Sequence, residues 1–216
     1  MAGILTYRNN FEAAAFEVAQ RYPDAKIVVI FPYGMASGTS RSVLHRLLTR
    51  QLAQVGYDLI HGPSRRVRLV SEIIREHMAS ANQLLLIGHS AGGVVAYRSG
   101  LILAEKYGQE QVRVVAVGSP KFHLRDIPFN KCFTYISGRN PDRITRIGSW
   151  HRPGSRVYCG KPGLEIQLAF NPGNLGWQYH ASYFLKSVWM DQNHVSHSNV
   201  EDLISKIHEL HPEFEG

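Results

Sequence analysis

The length of 216 residues suits one globular domain better than two, and 44% hydrophobic with 19% charged residues excludes global disorder. Lysine and arginine outnumber aspartate and glutamate by 24 to 17, a formal charge of +7. Such an excess permits an anionic partner, such as nucleic acid or a phospholipid surface, but the basic residues are scattered. The short cluster Arg65-Arg66-Val67-Arg68 is interpreted as a solvated helix end, with a phosphate-contacting patch as the alternative. Only the positive charge favours nucleic acid, so no specific nucleic-acid partner is expected.

The first ten residues contain no basic segment followed by an apolar run, so no secretory signal peptide is predicted. No apolar stretch approaches the ~20 residues that a helix needs to cross a bilayer. The two cysteines, Cys132 and Cys159, are too few for a disulfide framework and are interpreted as free thiols. Together these features predict a cytoplasmic protein.

Strand-like and helix-like segments alternate along most of the chain. The predicted helices are 11–21, 40–55, 67–78, 91–107 and 200–210. The predicted strands are 26–31, 84–87, 112–117 and 133–136, followed by a hairpin of 156–159 with 164–168. This alternation predicts an α/β fold with a mainly parallel central sheet flanked by helices on both faces, in a single domain over residues 1–216.

The segment Gly88-His89-Ser90-Ala91-Gly92 joins a predicted strand to a predicted helix. Small residues around the serine allow a turn so tight that the hydroxyl stands above the sheet edge, at the N-terminus of the helix. The positive end of the helix dipole stabilises developing negative charge there, and the N–H of Ala91 would supply one oxyanion donor. The pattern predicts a nucleophile, Ser90. A glycine-rich turn that only packs closely or binds a phosphate is the alternative.

A serine hydroxyl needs a neighbouring base, and the base needs an acid that orients it. In enzymes that carry the serine on such a turn, the order along the chain is serine, acid, histidine. Asp142 is the predicted acid because it follows the strand 133–136, at the same sheet edge as the serine. Its alternative role is a turn-forming residue after Asn140-Pro141. Asp126 precedes that strand, and Asp191 comes late in the chain.

The base is harder to choose because the chain contains eleven histidines. Chain order leaves His180, His194 and His197, and His197 directly precedes the last predicted helix. His89, inside the turn, is interpreted as a packing residue. Asp191 with His194 and His197 also has residue types that bind zinc or iron, but no fourth ligand is evident. No metal or other cofactor is therefore expected.

Four segments carry a resemblance to a known family: LLLIGHSAGG (84–93), VVAVGSPK (114–121), FTYISGRNPDRITR (133–146) and HASYF (180–184). In that order, they are similar to four parts of the lipase class 3 (fungal-lipase-like) family. These parts are the strand with the tight turn that carries the nucleophile, the strand end G-x-P-(R/K), the segment with the acidic residue, and the H-x-x-Y-F segment. The resemblance extends from about Ile27 to Leu185. It implies a single α/β-hydrolase domain and a triad of Ser90, Asp142 and His180.

Two positions depart from the family pattern. Ala91 stands where the family usually has leucine after the nucleophile. The segment that leads to the oxyanion loop reads Phe31-Pro32-Tyr33-Gly34-Met35, where the family commonly has R-G-(T/S). The second oxyanion donor is expected to be the backbone N–H of Met35.

The resemblance implies a lipase-like or esterase-like enzyme that cleaves a small-molecule ester or lipid through an acyl-enzyme. A thioesterase, acyltransferase or amidase on the same fold is an alternative, as is a non-catalytic binding protein. Three late aromatic residues, Trp150, Trp177 and Tyr179, are interpreted either as the lining of an acyl pocket or as core residues.

Overall fold

A computed structural model describes residues 1–3, 11–34, 41–60, 64–78, 83–124, 127–139, 142–150, 160–170, 180, 182–184, 188–190 and 196–214. The α-helices in these ranges are α1 (Glu12–Arg21), α2 (Arg41–Ile60), α3 (Arg65–Met78), α4 (Ala91–Tyr107) and α5 (Asn199–Leu210). The strands are β1 (Leu84–His89), β2 (Val112–Val117), β3 (Phe133–Gly138), β4 (Leu164–Leu168), β5 (Val188–Met190) and β6 (Ser196–Ser198).

Strands β1 to β4 form a parallel sheet in which each strand pairs with the next along the chain. Gly88 lies opposite Ala116, and Ala116 lies opposite Tyr135 on the next strand. In a parallel sheet the carboxyl ends of all strands meet at one edge, where ligand and active sites are usually found. The residues that follow β1 and those that follow β3 therefore lie at the same edge.

Helices cover both faces of this sheet. Successive strand residues point to opposite faces, so Val114 and Ala116 pack with residues of α3 and α4. Val115 and Val117 pack on the other face, with residues of α1 and α5. The predicted α/β arrangement is confirmed.

Some elements extend further than their sequence patterns predict. β3 continues two residues beyond position 136, because its ladder with β4 runs on to the pair Gly138 and Leu168. α2 continues to Ile60, and its added turn contains Asp58, a buried carboxylate that accepts a hydrogen bond from Arg66 at 2.7 Å. Contacts with a neighbouring element thus accompany the longer C-terminal ends of both β3 and α2.

The prediction of a buried strand at 26–31 is wrong. These residues form no strand, and 27–29 are between 37% and 43% exposed. Residues 1–3 lie beside β1 instead, and the carbonyl of Met1 accepts a hydrogen bond from the N–H of His89 at 3.0 Å. A β-branched run predicts an extended backbone, but it does not determine which segment takes the place next to a given strand.

The C-terminal third contains two small strand pairings. Residues 164–168 form the predicted strand, which pairs in parallel with β3, whereas its predicted hairpin partner, 156–159, lies outside the described residues. β5 and β6 form an antiparallel pair that the sequence does not predict. Within the described ranges, no helix combines the length and apolar character needed to cross a bilayer.

Candidate active site

The turn between β1 and α4 holds Ser90 in a strained conformation. Its φ of 55° and ψ of −134° make it the only described non-glycine residue with a positive φ. The N–H of Ser90 donates to the carbonyl of Val117 at 2.9 Å, and its own carbonyl accepts from the N–H of Gly93 at 2.9 Å. Such backbone strain costs about 1–3 kcal/mol and persists where neighbouring contacts enforce it, often at functional sites.

Gly88 allows β1 and α4 to approach closely just before the serine. A Cβ atom at this position would lie 2.5 Å from the carbonyl oxygen of Gly92 and 2.7 Å from the Cα atom of Gly93. Both are backbone atoms in the first turn of α4, so they cannot rotate away as a flexible side chain would. The turn that presents Ser90 therefore requires glycine at position 88.

Replacing Gly88 by alanine is expected to lower the free energy of unfolding by about 3 kcal/mol, because the added methyl group overpacks backbone against backbone. Urea denaturation followed by circular dichroism measures this change. Gly56→Ala is the matched control, since a Cβ atom there meets nothing within 4 Å and Gly56 lies inside α2. That variant should gain about 0.5–1 kcal/mol in helix stability. Equal stability of the two variants would contradict the close approach at Gly88.

Asp142 and His180, 38 residues apart, meet at the sheet edge. Nδ1 of His180 donates to Oδ2 of Asp142 at 2.7 Å. The buried carboxylate also accepts from the N–H of Ile144 at 2.9 Å and from the hydroxyl of Tyr183 at 3.1 Å. Burial is the largest single influence and raises the pKa of Asp142. The hydrogen bonds and charge of His180, with the other two donors, outweigh it and hold this pKa below its ordinary value.

Tyr183 connects this carboxylate to the sheet. Its hydroxyl accepts a hydrogen bond from the N–H of Gly138, the last residue of β3, at 2.9 Å and donates to Asp142. Its ring lies against Gly118, which has a φ of 56° and where a Cβ atom would come within 2.7 Å of the ring. Sequence patterns alone assign Tyr183 no role of its own, although its segment carries part of the family resemblance.

The other ring nitrogen of His180 is Nε2. Because Nδ1 donates its proton to a carboxylate, Nε2 carries the lone pair of the neutral ring. Nε2 is buried and has no hydrogen-bond partner in the described part of the chain, so it is not bonded directly to Ser90. Catalytic hydrogen bonds are often long before substrate binds.

His89 links the serine turn to His180. Its ring stacks on the ring of His180 with 4.8 Å between centroids and 25° between planes. Nε2 of His89 lies 2.9 Å from the backbone oxygen of His180. His89 directly precedes Ser90, so the residue that contacts the predicted base is the neighbour, in the chain, of the predicted nucleophile.

One of the two predicted oxyanion donors is described. Ala91 is buried and begins α4, so its N–H is one of the first four of the helix, which have no acceptor within the helix. Met35 lies outside the described residues.

The remaining candidates are mostly undescribed. Asp191 and His194 lie outside the described residues, and His197 is described only as backbone in β6. Among the side chains that are described, no three of histidine, cysteine, aspartate and glutamate are grouped to hold a metal ion. Cys132 is a free, half-buried thiol, and Cys159 is undescribed.

Among the described residues, Trp150 packs in the core, as the second of its two interpretations expects. Its indole is 8% exposed and contacts the rings of Phe122, Phe133 and Tyr135 edge-on, at centroid distances from 4.9 to 6.2 Å. Trp177 and Tyr179 lie outside the described residues.

A family model described as Lipase (class 3) matches residues 33–147, slightly more than half of the chain. The chain belongs to the class 3 lipase family. The match contains the serine turn and Asp142, whereas His180 lies beyond it. Comparison with curated proteins and with solved structures gives no match. Membership supports an α/β-hydrolase fold and lipase-like ester hydrolysis in general terms.

Tyr33, which lies in the segment that departs from the family pattern near the oxyanion loop, is firmly held. The hydroxyl of Tyr33 donates to the buried carboxylate of Asp58 at 3.0 Å, and its carbonyl accepts from the amide of Gln51 at 2.9 Å. The guanidinium of Arg66 lies 4.8 Å above the ring. α2 and α3 thus fix the backbone that leads into the loop, in which Gly34 has a φ of 82°.

Proposed function

We propose that this class 3 lipase is a carboxylic-ester hydrolase in which Ser90 is the nucleophile, His180 the general base and Asp142 the residue that orients His180. The observation that carries the proposal is the 2.7 Å hydrogen bond between His180 and buried Asp142, at the sheet edge where Ser90 is presented. A charge-assisted hydrogen bond of this kind fixes which ring nitrogen of the histidine is free to accept a proton. Family membership supports an ester or lipid as the substrate.

In the first half of the reaction, Oγ of Ser90 attacks the carbonyl carbon of the ester while Nε2 of His180 takes the hydroxyl proton. The resulting imidazolium is stabilised by the carboxylate of Asp142. When the tetrahedral intermediate collapses, the bond to the alcohol oxygen breaks and His180 returns the proton to the leaving alcohol. The acyl group is then an ester of Ser90.

In the second half, water takes the place of the serine as the attacking group. His180 accepts one proton from water as the water oxygen attacks the acyl carbonyl, and it then protonates Oγ of Ser90 as that bond breaks. The products are a carboxylic acid and the free enzyme. No proton or electron is left over, so the cycle needs no cofactor.

Negative charge that develops on the carbonyl oxygen needs fixed donors nearby. The N–H of Ala91 supports this role because it begins α4 next to Ser90, where the helix dipole adds positive potential. The proposed second donor is the N–H of Met35, which follows the anchored backbone of Tyr33 and Gly34. Removal of one such donor typically costs about 10²- to 10³-fold in kcat.

A fluorophosphonate probe tests the proposed nucleophile directly. The folded protein is expected to gain the mass of one probe molecule at Ser90, mapped by peptide mass spectrometry, whereas heat-denatured protein should gain none. This selectivity follows because an unperturbed serine hydroxyl does not react, and only the folded site supplies a base. Modification at another residue, or none in the folded protein, would overturn the assignment.

A substrate panel tests the proposed reaction. p-Nitrophenyl acetate, butyrate and palmitate, together with palmitoyl-CoA, separate short-chain from long-chain esters and oxygen esters from thioesters. We expect higher kcat/KM for the oxygen esters. Faster release of CoA than of p-nitrophenol would instead support the thioesterase alternative on the same residues.

A further inference from the structure

We propose that His89 is a positioning residue that holds His180 in place for proton transfer, through a hydrogen bond to the backbone of His180 and a stack against its ring. The proposal rests on the proposed function, because it assigns His180 as the base. It gives a role beyond packing to the residue that directly precedes the nucleophile.

The hydrogen bond defines the protonation of His89. Its Nε2 lies 2.9 Å from the backbone oxygen of His180. A carbonyl oxygen can only accept, so Nε2 of His89 must carry the proton. The acceptor belongs to the backbone of the base itself, so this contact fixes the main chain from which the imidazole of His180 projects.

The stack between the two rings restricts movement of the His180 side chain. The ring of His180 is held at its edge by Asp142, and one face is covered by His89 at 4.8 Å and 25°. Rotation of the ring about χ2 would break the hydrogen bond to Asp142. Movement of the ring perpendicular to its plane would break the stack with His89. Three contacts, one to the backbone, one to the ring edge and one to the ring face, thus restrict the position of Nε2 of His180.

His89 is itself firmly held and does not compete for the proton. It is 8% exposed and contacts the rings of Phe11 and Phe184, at 6.2 and 5.2 Å between centroids. Burial, reinforced by the nearby His180, lowers the pKa of His89 to about 3. The ring therefore stays neutral above about pH 4, and of the two stacked imidazoles only His180 exchanges a proton in the reaction.

Separate variants distinguish the hydrogen bond from the ring contact. His89→Phe keeps an aromatic ring but removes the N–H donor, His89→Gln keeps a donor but removes the ring, and His89→Leu removes both. For an ester hydrolysed by the wild type, we expect kcat to fall about 10-fold in the first two and about 100-fold in His89→Leu, with KM changed less than 2-fold, since misplacement by about 1 Å can cost 10²-fold. His208→Phe is the matched control, because His208 contacts the ring of Tyr22 edge-on at 5.3 Å, away from this site.

A proton NMR measurement reports on the same geometry without requiring turnover. The proton on Nδ1 of His180, held by a buried carboxylate, should give a far-downfield resonance that disappears in His180→Ala. In His89→Leu we expect this resonance to broaden or vanish, whereas His208→Phe should retain it. A purely structural role would lower the melting temperature but leave the resonance sharp in the protein that is still folded.

The outcomes separate the two proposals. A wild type inactive on every ester, with a resonance that responds to His89→Leu, would overturn the proposed function; it would leave standing only the contact by which His89 holds the imidazole of His180. An active wild type whose kcat and resonance are unchanged in His89→Phe and His89→Leu would overturn the positioning role alone. So would a fall in kcat fully explained by the unfolded fraction measured at the assay temperature.

Discussion

Ser90→Ala is expected to lower kcat for p-nitrophenyl butyrate by about 10⁵- to 10⁶-fold, because the acyl-enzyme can no longer form. The residual rate should remain above that in water, since the donors at the N-terminus of α4 and the substrate contacts are unchanged. KM should change little, as only one oxygen atom is removed. Steady-state kinetics with active protein at high concentration measures the difference.

The control for this variant is Ser71→Ala. Ser71 is buried to a similar degree, at 5% exposure against 8% for Ser90, but lies on α3 with its hydroxyl bonded to the carbonyl of Val67. Both variants should give the far-ultraviolet circular dichroism of the wild type. Activity of Ser90→Ala within 10-fold of the wild type would refute the central assignment.

Asp142→Asn is expected to lower kcat by about 10⁴-fold with little change in KM. An asparagine can present its amide N–H₂ to Nδ1 of His180, which favours the tautomer protonated on Nε2. That tautomer cannot accept the proton of Ser90. Asp202→Asn, a change of the same kind in the first turn of α5, should leave kcat unchanged. Full activity of Asp142→Asn would show that another residue orients the base.

The same variant has a predictable dependence of stability on pH. Because the pKa of Asp142 is lowered in the folded protein, its carboxylate stabilises the fold above the ordinary pKa of an aspartate, and this contribution is lost as the pH falls through the lowered value. The difference in free energy of unfolding between wild type and Asp142→Asn should be largest near neutrality and shrink below about pH 4. Urea denaturation at pH 7, 5, 4 and 3 measures it. A difference that grows on acidification would contradict the direction of the shift.

The local part of the site could be predicted from sequence. An apolar run, a Gly-x-Ser-x-Gly turn and a helical pattern are all short-range signals, so α4 begins at Ala91 as expected. The placement of Asp142 needed only one further step, because strand order along the chain puts it at the same edge as Ser90. Both inferences depend on contacts that the alternation of strands and helices enforces.

The partner of Asp142 could not be derived from spacing. With eleven histidines, chain order left three candidates, and only the resemblance of 180–184 to a family segment favoured His180. The irregular segment around His180 has no periodicity that would place it. The contact with His89 was missed for the same reason, although its position directly before Ser90 already placed it at the sheet edge that the base must reach.

The run 26–31 shows where local pattern misleads. Its β-branched residues have high strand propensity, yet the structure places 27–29 partly in solvent and residues 1–3 beside β1. Strand propensity reflects fit to a half-buried, paired surface, so it is realised only where a partner is available. A choice between two competing segments depends on contacts far apart in sequence.

The 38 residues that separate Asp142 from His180 also matter during synthesis of the chain. The segment carrying nucleophile and acid leaves the ribosome before the segment carrying the proposed base. At translation rates of about 5–20 residues per second, the delay is about 2–8 s. A nascent chain that has already paired β1 to β3 therefore has a serine turn but no proton acceptor. On the proposed assignment, hydrolytic activity begins only when the His180 segment docks.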